Sequence, residues 1–276
     1  MAKLSKAQAK LHAQACELLK KDVLTEDDKW FVLEHWQESA NHVNTTAGAF
    51  FTPPGLANDF SVEIGGSACR RIIDLCAGIG GLSFRCHQRG RWNGEPPEIV
   101  CVELNPDYIA VGKKILPEAT WICASVFDLP DLGRFDFAIS NPPFGATPRN
   151  GGKGPTYTGD KFEYHVIDVA SKLALFGVFI IPQMSAGFTY SGRPYFERNE
   201  SDAYKKFKQQ TGISLEPGCG IDCDYYKNDW HGVSVTVEVV TSEFHEPESQ
   251  TCMASATTTS SESQLDLFAE LAGAAS

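Results

Sequence analysis

The tetrad Asn141-Pro142-Pro143-Phe144 follows an apolar run, Phe135-Asp136-Phe137-Ala138-Ile139-Ser140, with the pattern of a buried strand. Its residue types suit one chemical problem, methylation of a planar, weakly nucleophilic nitrogen. The lone pair of an exocyclic amine such as adenine N6 is delocalised into the ring. Before it can attack, the nitrogen must be drawn toward tetrahedral geometry. Two fixed hydrogen-bond acceptors can do this, and the Asn141 side-chain oxygen and the Pro142 carbonyl are candidates. The prolines stiffen the backbone and bring no N–H to compete for those acceptors. Phe144 offers a face on which a planar group can stack. The same residues also read as a tight turn after a strand, where Asn and Pro are common.

A second candidate is Asp74-Leu75-Cys76-Ala77-Gly78-Ile79-Gly80-Gly81, placed where a strand gives way to a helix. Glycines there allow a tight turn and close approach of a ligand to backbone. The spacing is not Gly-x-Gly-x-x-Gly, and the acid Asp74 precedes the glycines. A pyrophosphate would be repelled by that acid, whereas an ammonium, such as the one on S-adenosylmethionine, would be attracted. Glu103 closes the next strand, where a carboxylate can accept both hydroxyls of a ribose.

Together these motifs resemble class I S-adenosylmethionine-dependent methyltransferases of the amino-methylating kind. The order is most similar to the gamma group of DNA adenine-N6 methyltransferases and to modification subunits of type I restriction systems. Phe50-Phe51-Thr52-Pro53-Pro54-Gly55 matches the segment that precedes the Gly-rich turn in that group. The resemblance spans about residues 48 to 240. It implies that Phe51 and Thr52 contact the amino-acid end of S-adenosylmethionine. It also implies that Asp74, Ala77, Gly78 and Gly80 line the cofactor, that Glu103 holds its ribose and that Leu104 packs on its adenine. After the third strand the family usually has Asp. Here Ser125 occupies that place, followed by Val126, and both are expected at the cofactor's adenine. Asn141, Pro142, Pro143 and Phe144 are the expected catalytic residues, and no metal is required. The implied activity is transfer of a methyl group to adenine N6 in DNA. RNA adenine, a protein glutamine side chain, or a non-catalytic subunit of a larger complex are the alternatives.

These residues need a frame. Arg71–Cys76, Ile99–Glu103, Trp121–Ser125, Phe135–Ser140 and Leu175–Ile181 are apolar and rich in Ile, Val and Phe. They alternate with helical stretches or crossover-length loops, which predicts an α/β fold with a mostly parallel sheet covered on both faces. Val233–Val240 reads as a late strand in an edge hairpin. The resemblance implies a Rossmann-like methyltransferase sheet of seven strands flanked by helices. Residues 5 to 40 read as two helices, the second capped by Thr25 and packing a bulky face that includes Trp30, Phe31 and Trp36 on the main domain. The predicted organisation is a helical extension over 1–47, a catalytic domain over 48–244, a Ser/Thr-rich disordered linker over 245–263 and an interaction peptide over 264–276.

The net charge of −11 and pI of about 5.1 argue against a protein that coats nucleic acid electrostatically. No separate recognition domain fits in the chain, so DNA would be met by loops, by the N-terminal helices or through a partner. The Gly-rich segment 146–161, with Arg149, Lys153, Lys161 and Tyr157, is one candidate contact, and Lys205, Lys206 and Lys208 form another. The nine cysteines are odd in number and read as reduced thiols of a cytoplasmic protein. No apolar run is long enough to span a membrane. The tail ends in Gln264-Leu265-Asp266-Leu267-Phe268, which resembles the peptide that bacterial DNA polymerases and repair proteins insert into the sliding clamp. Its apolar pair on a flexible linker could tether the chain to DNA.

Overall fold

The computed structural model describes residues 5–37, 50–64, 70–149, 151–231 and 236–244. The linker and the clamp-like peptide lie outside the described residues, as does the start of the expected strand at Val233.

Two capped helices come first. In α1 (Lys6–Leu18), the Ser5 side chain accepts from Gln8 N–H, and Gln8 returns the bond. In α2 (Glu26–His35), Thr25 makes the same reciprocal cap with Asp28. Both helices join the core of the main body. Val32, Leu33 and Trp36 are buried in the cluster that holds one face of the sheet. The short α3 (Pro54–Phe60) starts on a proline at its first turn, where the missing N–H costs nothing.

The alternating region follows as β1 (Arg71–Leu75), α4 (Gly81–Trp92), β2 (Glu98–Glu103), α5 (Pro106–Ile115), β3 (Thr120–Cys123) and β4 (Phe135–Ser140). It continues with α6 (Phe162–Leu173) and β5 (Ala174–Pro182). A small hairpin, β6 (Phe188–Thr189) with β7 (Glu197–Arg198), precedes α7 (Asp202–Thr211) and β8 (Val237–Glu243). The sheet order is β3-β2-β1-β4-β5-β8, with the first five strands parallel and β8 antiparallel to β5.

Both faces of the sheet are buried, and the period of two assigns the residues. Ile72, Ile99, Cys101, Ile139, Val178 and Ile180 face the cluster shared with the N-terminal helices. Ile73, Leu75, Val100, Val102, Phe179 and Ile181 face the opposite cluster with α6 and α7.

Among the described residues the sheet has six strands, not the seven expected. Beyond β8 the chain makes one antiparallel bridge, Glu216 with Thr241, closed by backbone bonds of 2.9 and 2.7 Å. Pro217 offers no N–H, and Gly218 turns the chain at φ 57°, so a seventh strand does not propagate. The described part of the late strand, Val237–Glu243, pairs antiparallel along β5 rather than forming a hairpin of its own. Among the described thiols Cys86 and Cys101 are buried, whereas Cys123 is exposed. Among the described residues, no helix is long and apolar enough to cross a membrane, and no group of three or more His, Cys, Asp or Glu could hold a metal ion.

Candidate active site

The C-terminal ends of β1, β2 and β4 lie side by side, since these strands are parallel neighbours. The loops leaving those ends, with the segment before α3, enclose a cleft. It is lined by Phe50, Phe51, Thr52, Asp74, Ala77, Gly78 and Asn141, and by Leu33 of α2. The crevice outside the carboxyl ends of a parallel sheet is the usual ligand position in such folds.

The turn after β1 is tight and strained. Cys76 has φ 65°, the one non-glycine with positive φ among the described residues, and Gly78 and Gly80 follow at 58° and 83°. Backbone bonds hold it: Ala77 N–H donates to Val102 O at 2.9 Å, and Gly80 N–H to Ala77 O at 2.9 Å. A Cβ on Gly78 would stand 3.2 Å from the Phe51 ring, in addition to the unfavourable φ. Phe51 is backed in turn by Tyr108 and Trp36, with ring centroids 5.1 and 5.7 Å away.

Asp74 is 1% exposed. Its Oδ2 accepts from the Ser83 hydroxyl at 2.6 Å. Its Oδ1 is buried without a hydrogen-bond partner among the described residues. Burial raises its pKa to about 7, the Ser83 hydrogen bond opposes that rise, and the charge of Glu103 adds to it. A buried carboxylate with one empty oxygen is a costly arrangement that a cationic ligand would relieve.

Glu103 serves the glycine turn directly. Its Oε2 accepts from Gly78 N–H, and its Oε1 from Leu104 N–H and Asn105 N–H, each at 2.8 Å. Burial raises its pKa, and these backbone bonds oppose the rise. Leu104 is 65% exposed beside it, an apolar face without cover. Ser125 Oγ accepts weakly from Phe127 N–H at 3.3 Å. Val126 is buried in the cluster of the opposite sheet face, with Leu75 and Val102.

Asn141 sits at the end of β4. Its Nδ2 donates to Phe50 O and to Thr52 Oγ1, both at 2.9 Å. A carbonyl oxygen can only accept, so the contact with Phe50 O assigns the amide nitrogen to that side. The Asn141 oxygen is then left toward the cleft, buried and without a hydrogen-bond partner among the described residues. Pro142 is buried, and Phe144 is half-buried against the core. The backbone after the tetrad is held by Glu163 of α6, a fully buried side chain. Its Oε2 accepts from Gly145 N–H and its Oε1 from the Ser185 hydroxyl, each at 2.8 Å.

Thus the cleft gathers Phe51, Thr52, Asp74, Ala77, Gly78 and Asn141. Gly80, Glu103 and Leu104 stand next to it on the same turns. Val126 points into the core. Leu33, Ser83 and Glu163 were missed by sequence reasoning. Ser83 and Glu163 lie inside helices, where nothing in their spacing marks them, and Leu33 belongs to an ordinary apolar helix face.

The two basic candidates look different in three dimensions. Segment 146–161 is tied down, because Thr156 and Tyr157 N–H donate to Asp168 Oδ2 at 2.6 and 2.7 Å. Gly154 N–H donates to His165 Nδ1 at 2.9 Å. That bond leaves Nε2–H to donate to Gly159 O at 2.9 Å. Burial, then the charge of Arg149, lowers the His165 pKa to about 4, so the ring is neutral near pH 7. Tyr157 is 1% exposed and packs on Tyr164 and Phe207, so it cannot reach a base. On α7, Lys208 pairs with Glu200 at 3.1 Å and Lys205 lies 3.9 Å from Asp202.

No protein-family model matches the chain, and no curated protein does. Solved structures share its fold. A class I S-adenosylmethionine-dependent methyltransferase structure from Listeria monocytogenes aligns with TM-score 0.59 at 12% identity, over 89% of this chain and 82% of that one. The methyltransferase subunit of a type I restriction-modification system from Streptococcus thermophilus aligns with TM-score 0.52 at 13% identity, over 84% of this chain and 52% of that one. A modification subunit of a type I restriction enzyme from Vibrio vulnificus aligns with TM-score 0.51 at 10% identity, over 80% and 50%. This chain therefore spans about half the length of the two restriction-system subunits. The Rossmann-like fold of class I methyltransferases, with a six-stranded mostly parallel sheet, is the architecture of this protein.

Proposed function

We propose that this protein transfers a methyl group from S-adenosylmethionine to adenine N6 in DNA. The observation that carries the reading is the Asn141 side-chain oxygen, held toward the cleft with no partner among the described residues while its nitrogen is fully engaged.

The cleft suits the cofactor. The empty Asp74 oxygen is a place for its ammonium, and the bare backbone of Gly78 and Gly80 permits close approach. Glu103 would meet the ribose hydroxyls by giving up part of its hold on the glycine turn, and the exposed Leu104 would cover the adenine face. Once bound, the cofactor supplies an electrophilic methyl group.

The chain's own residues prepare the nucleophile. Asn141 Oδ1 accepts one N–H of the amine, and Pro142 O is the second acceptor. Both acceptors would localise the nitrogen lone pair and stabilise the positive charge that develops on the nitrogen as its bond to the methyl group forms and the methyl–sulfur bond breaks, the neutral thioether being the leaving group. Phe144 stacks on the base and holds its plane. The proton lost after transfer leaves through Asn141 or Pro142 to solvent, since a neutral amide and a carbonyl do not retain it. No covalent enzyme intermediate is needed.

A planar glutamine amide or an RNA adenine would meet the same acceptors. The deciding experiment supplies labelled S-adenosylmethionine with DNA, RNA and protein acceptors in parallel, then digests the labelled product to nucleosides. N6-methyldeoxyadenosine is expected. Label confined to RNA or protein overturns the DNA reading.

A further inference from the structure

Given the proposed DNA substrate, we propose that the hairpin joining β5 to α7 is the surface on which the DNA strand lies, with Tyr195 as a stacking platform for a base next to the target.

The hairpin starts at the same C-terminal end of the parallel strands as the cleft. β5 is the parallel neighbour of β4, so Pro182 ends beside the segment that begins at Asn141. Glu163 makes the connection physical, because one buried carboxylate accepts both from Gly145 N–H, directly after the tetrad, and from Ser185 at the hairpin's base. A second buried carboxylate, Glu238, fixes the near strand. It accepts from Gln183 Nε2 at 2.7 Å, Tyr190 N–H at 2.8 Å and Ser191 N–H at 2.9 Å. These bonds anchor the base and near strand of the hairpin to the end of the sheet that carries the cleft.

Its tip presents aromatic rings to water. Tyr195 is 79% exposed, Phe196 42%, and Met184 at the base 69%. Phe196 is steadied by Phe188, 5.5 Å away, and by the Arg198 guanidinium, 5.4 Å from its ring. The rings border a pocket of about 450 Å³ that Arg193 and Asn199 also line. An uncovered aromatic face gains most from a partner that is itself a flat ring. Stacking on bases is worth about 1–3 kcal/mol per base and does not depend on sequence. Arg193 can pair with a phosphate, but Glu197 stands on the same rim and Arg198 is neutralised by Glu216 at 2.5 Å. Stacking, not charge, must carry the contact, which fits a chain of net charge −11.

The test uses the full-length protein saturated with cofactor. Binding of a fluorescent single-stranded DNA is followed by anisotropy for the wild type, Tyr195→Ala and Tyr195→Trp, and methyl transfer is measured alongside. Tyr195→Ala is expected to weaken DNA binding by about tenfold and to raise KM for DNA more than it lowers kcat. Tyr195→Trp should restore both, and binding should depend only weakly on salt. Equal DNA affinity of wild type and Tyr195→Ala overturns the proposal, as does an effect seen only with RNA or with a peptide acceptor. If the wild type transfers no methyl to DNA yet binds it through Tyr195, the hairpin surface stands and the assigned reaction falls.

Discussion

Asn141 Nδ2 donates to Thr52 Oγ1 at 2.9 Å across a sequence separation of 89 residues. This bond joins the segment before the glycine turn to the Asn-Pro-Pro-Phe tetrad. It adds to the expectation for Thr52, whose hydroxyl holds the Asn141 amide nitrogen in addition to lining the cleft. Orientation matters because a rotated amide would present N–H donors where an acceptor is needed.

Thr52→Val keeps the shape and removes the acceptor. It is expected to lower kcat by about tenfold, the loss typical of a loosened positioning contact. Cofactor affinity, measured by calorimetry, should change much less, and Thr52→Ser should recover most of kcat. A Thr52→Val enzyme that loses cofactor binding in proportion to turnover would return Thr52 to a purely cofactor-binding role.

Asn141→Ala removes the buried acceptor itself. Turnover should fall by at least about 100-fold, the scale seen for loss of a preorganised polar group, with cofactor affinity retained. Phe144→Ala should damage turnover more than Phe144→Trp, which keeps a stacking face. Near-normal turnover in Asn141→Ala would refute the proposed chemistry.

Asp74 predicts opposite pH trends for ligand binding and for apoprotein stability. Its folded pKa of about 7 lies above its ordinary 3.8. The stability it contributes to the apoprotein is whole below about pH 3.8 and is lost as pH rises through 7. A cationic ligand pairs with the ionised form, so cofactor affinity should rise over that same window and level off above 7. Asp74→Asn should flatten both profiles and weaken binding at pH 8 or so. Calorimetry and melting temperatures on either side of pH 7 measure both, and unchanged profiles in Asp74→Asn would remove Asp74 from the pocket.

Glu163→Ala leaves the part-buried Gly145 N–H and the buried Ser185 hydroxyl without this acceptor. Each orphaned group costs about 1–3 kcal/mol, so unfolding stability should drop by about 2–6 kcal/mol. Glu163→Gln can still accept from Gly145 while Ser185 rotates to accept, and should lose far less. Urea denaturation compares the two, and equal losses would show that packing, not the paired hydrogen bonds, is what Glu163 supplies.

For the tail, the proposed partner is a sliding clamp engaged through Gln264, Leu265, Asp266, Leu267 and Phe268. A pull-down with bacterial clamp should capture the intact chain and fail with the Leu267→Ala, Phe268→Ala double variant. Equal capture of both, or of neither, removes the clamp as a partner and leaves the catalytic reading as it is.

Local pattern alone determined the strands and most of their faces. A parallel sheet buried on both sides demands near-continuous Ile, Val and Phe, as in Ile72–Ile73 and Val178 to Ile181, and few other structures tolerate such runs. The cap at Thr25 was equally local, since a side chain that satisfies the first turn lies within three residues of it. The candidate site was legible in the sequence as three separate short motifs, because each stands at a strand end and their order along the chain, rather than any one of them, separates a ligand cleft from ordinary turns. Tertiary structure decided how those motifs meet. Only the folded chain sets Thr52 and Phe50 against the Asn141 nitrogen, so that its oxygen is the atom left free. Only the fold turns Val126 and Tyr157 into the core and leaves Tyr195 in water, since burial depends on what packs above a residue and not on its neighbours in sequence. The missing seventh strand belongs here too. It turns on whether residues after Glu216 can keep a ladder against β8, and a proline and a left-handed glycine at that one place stop it.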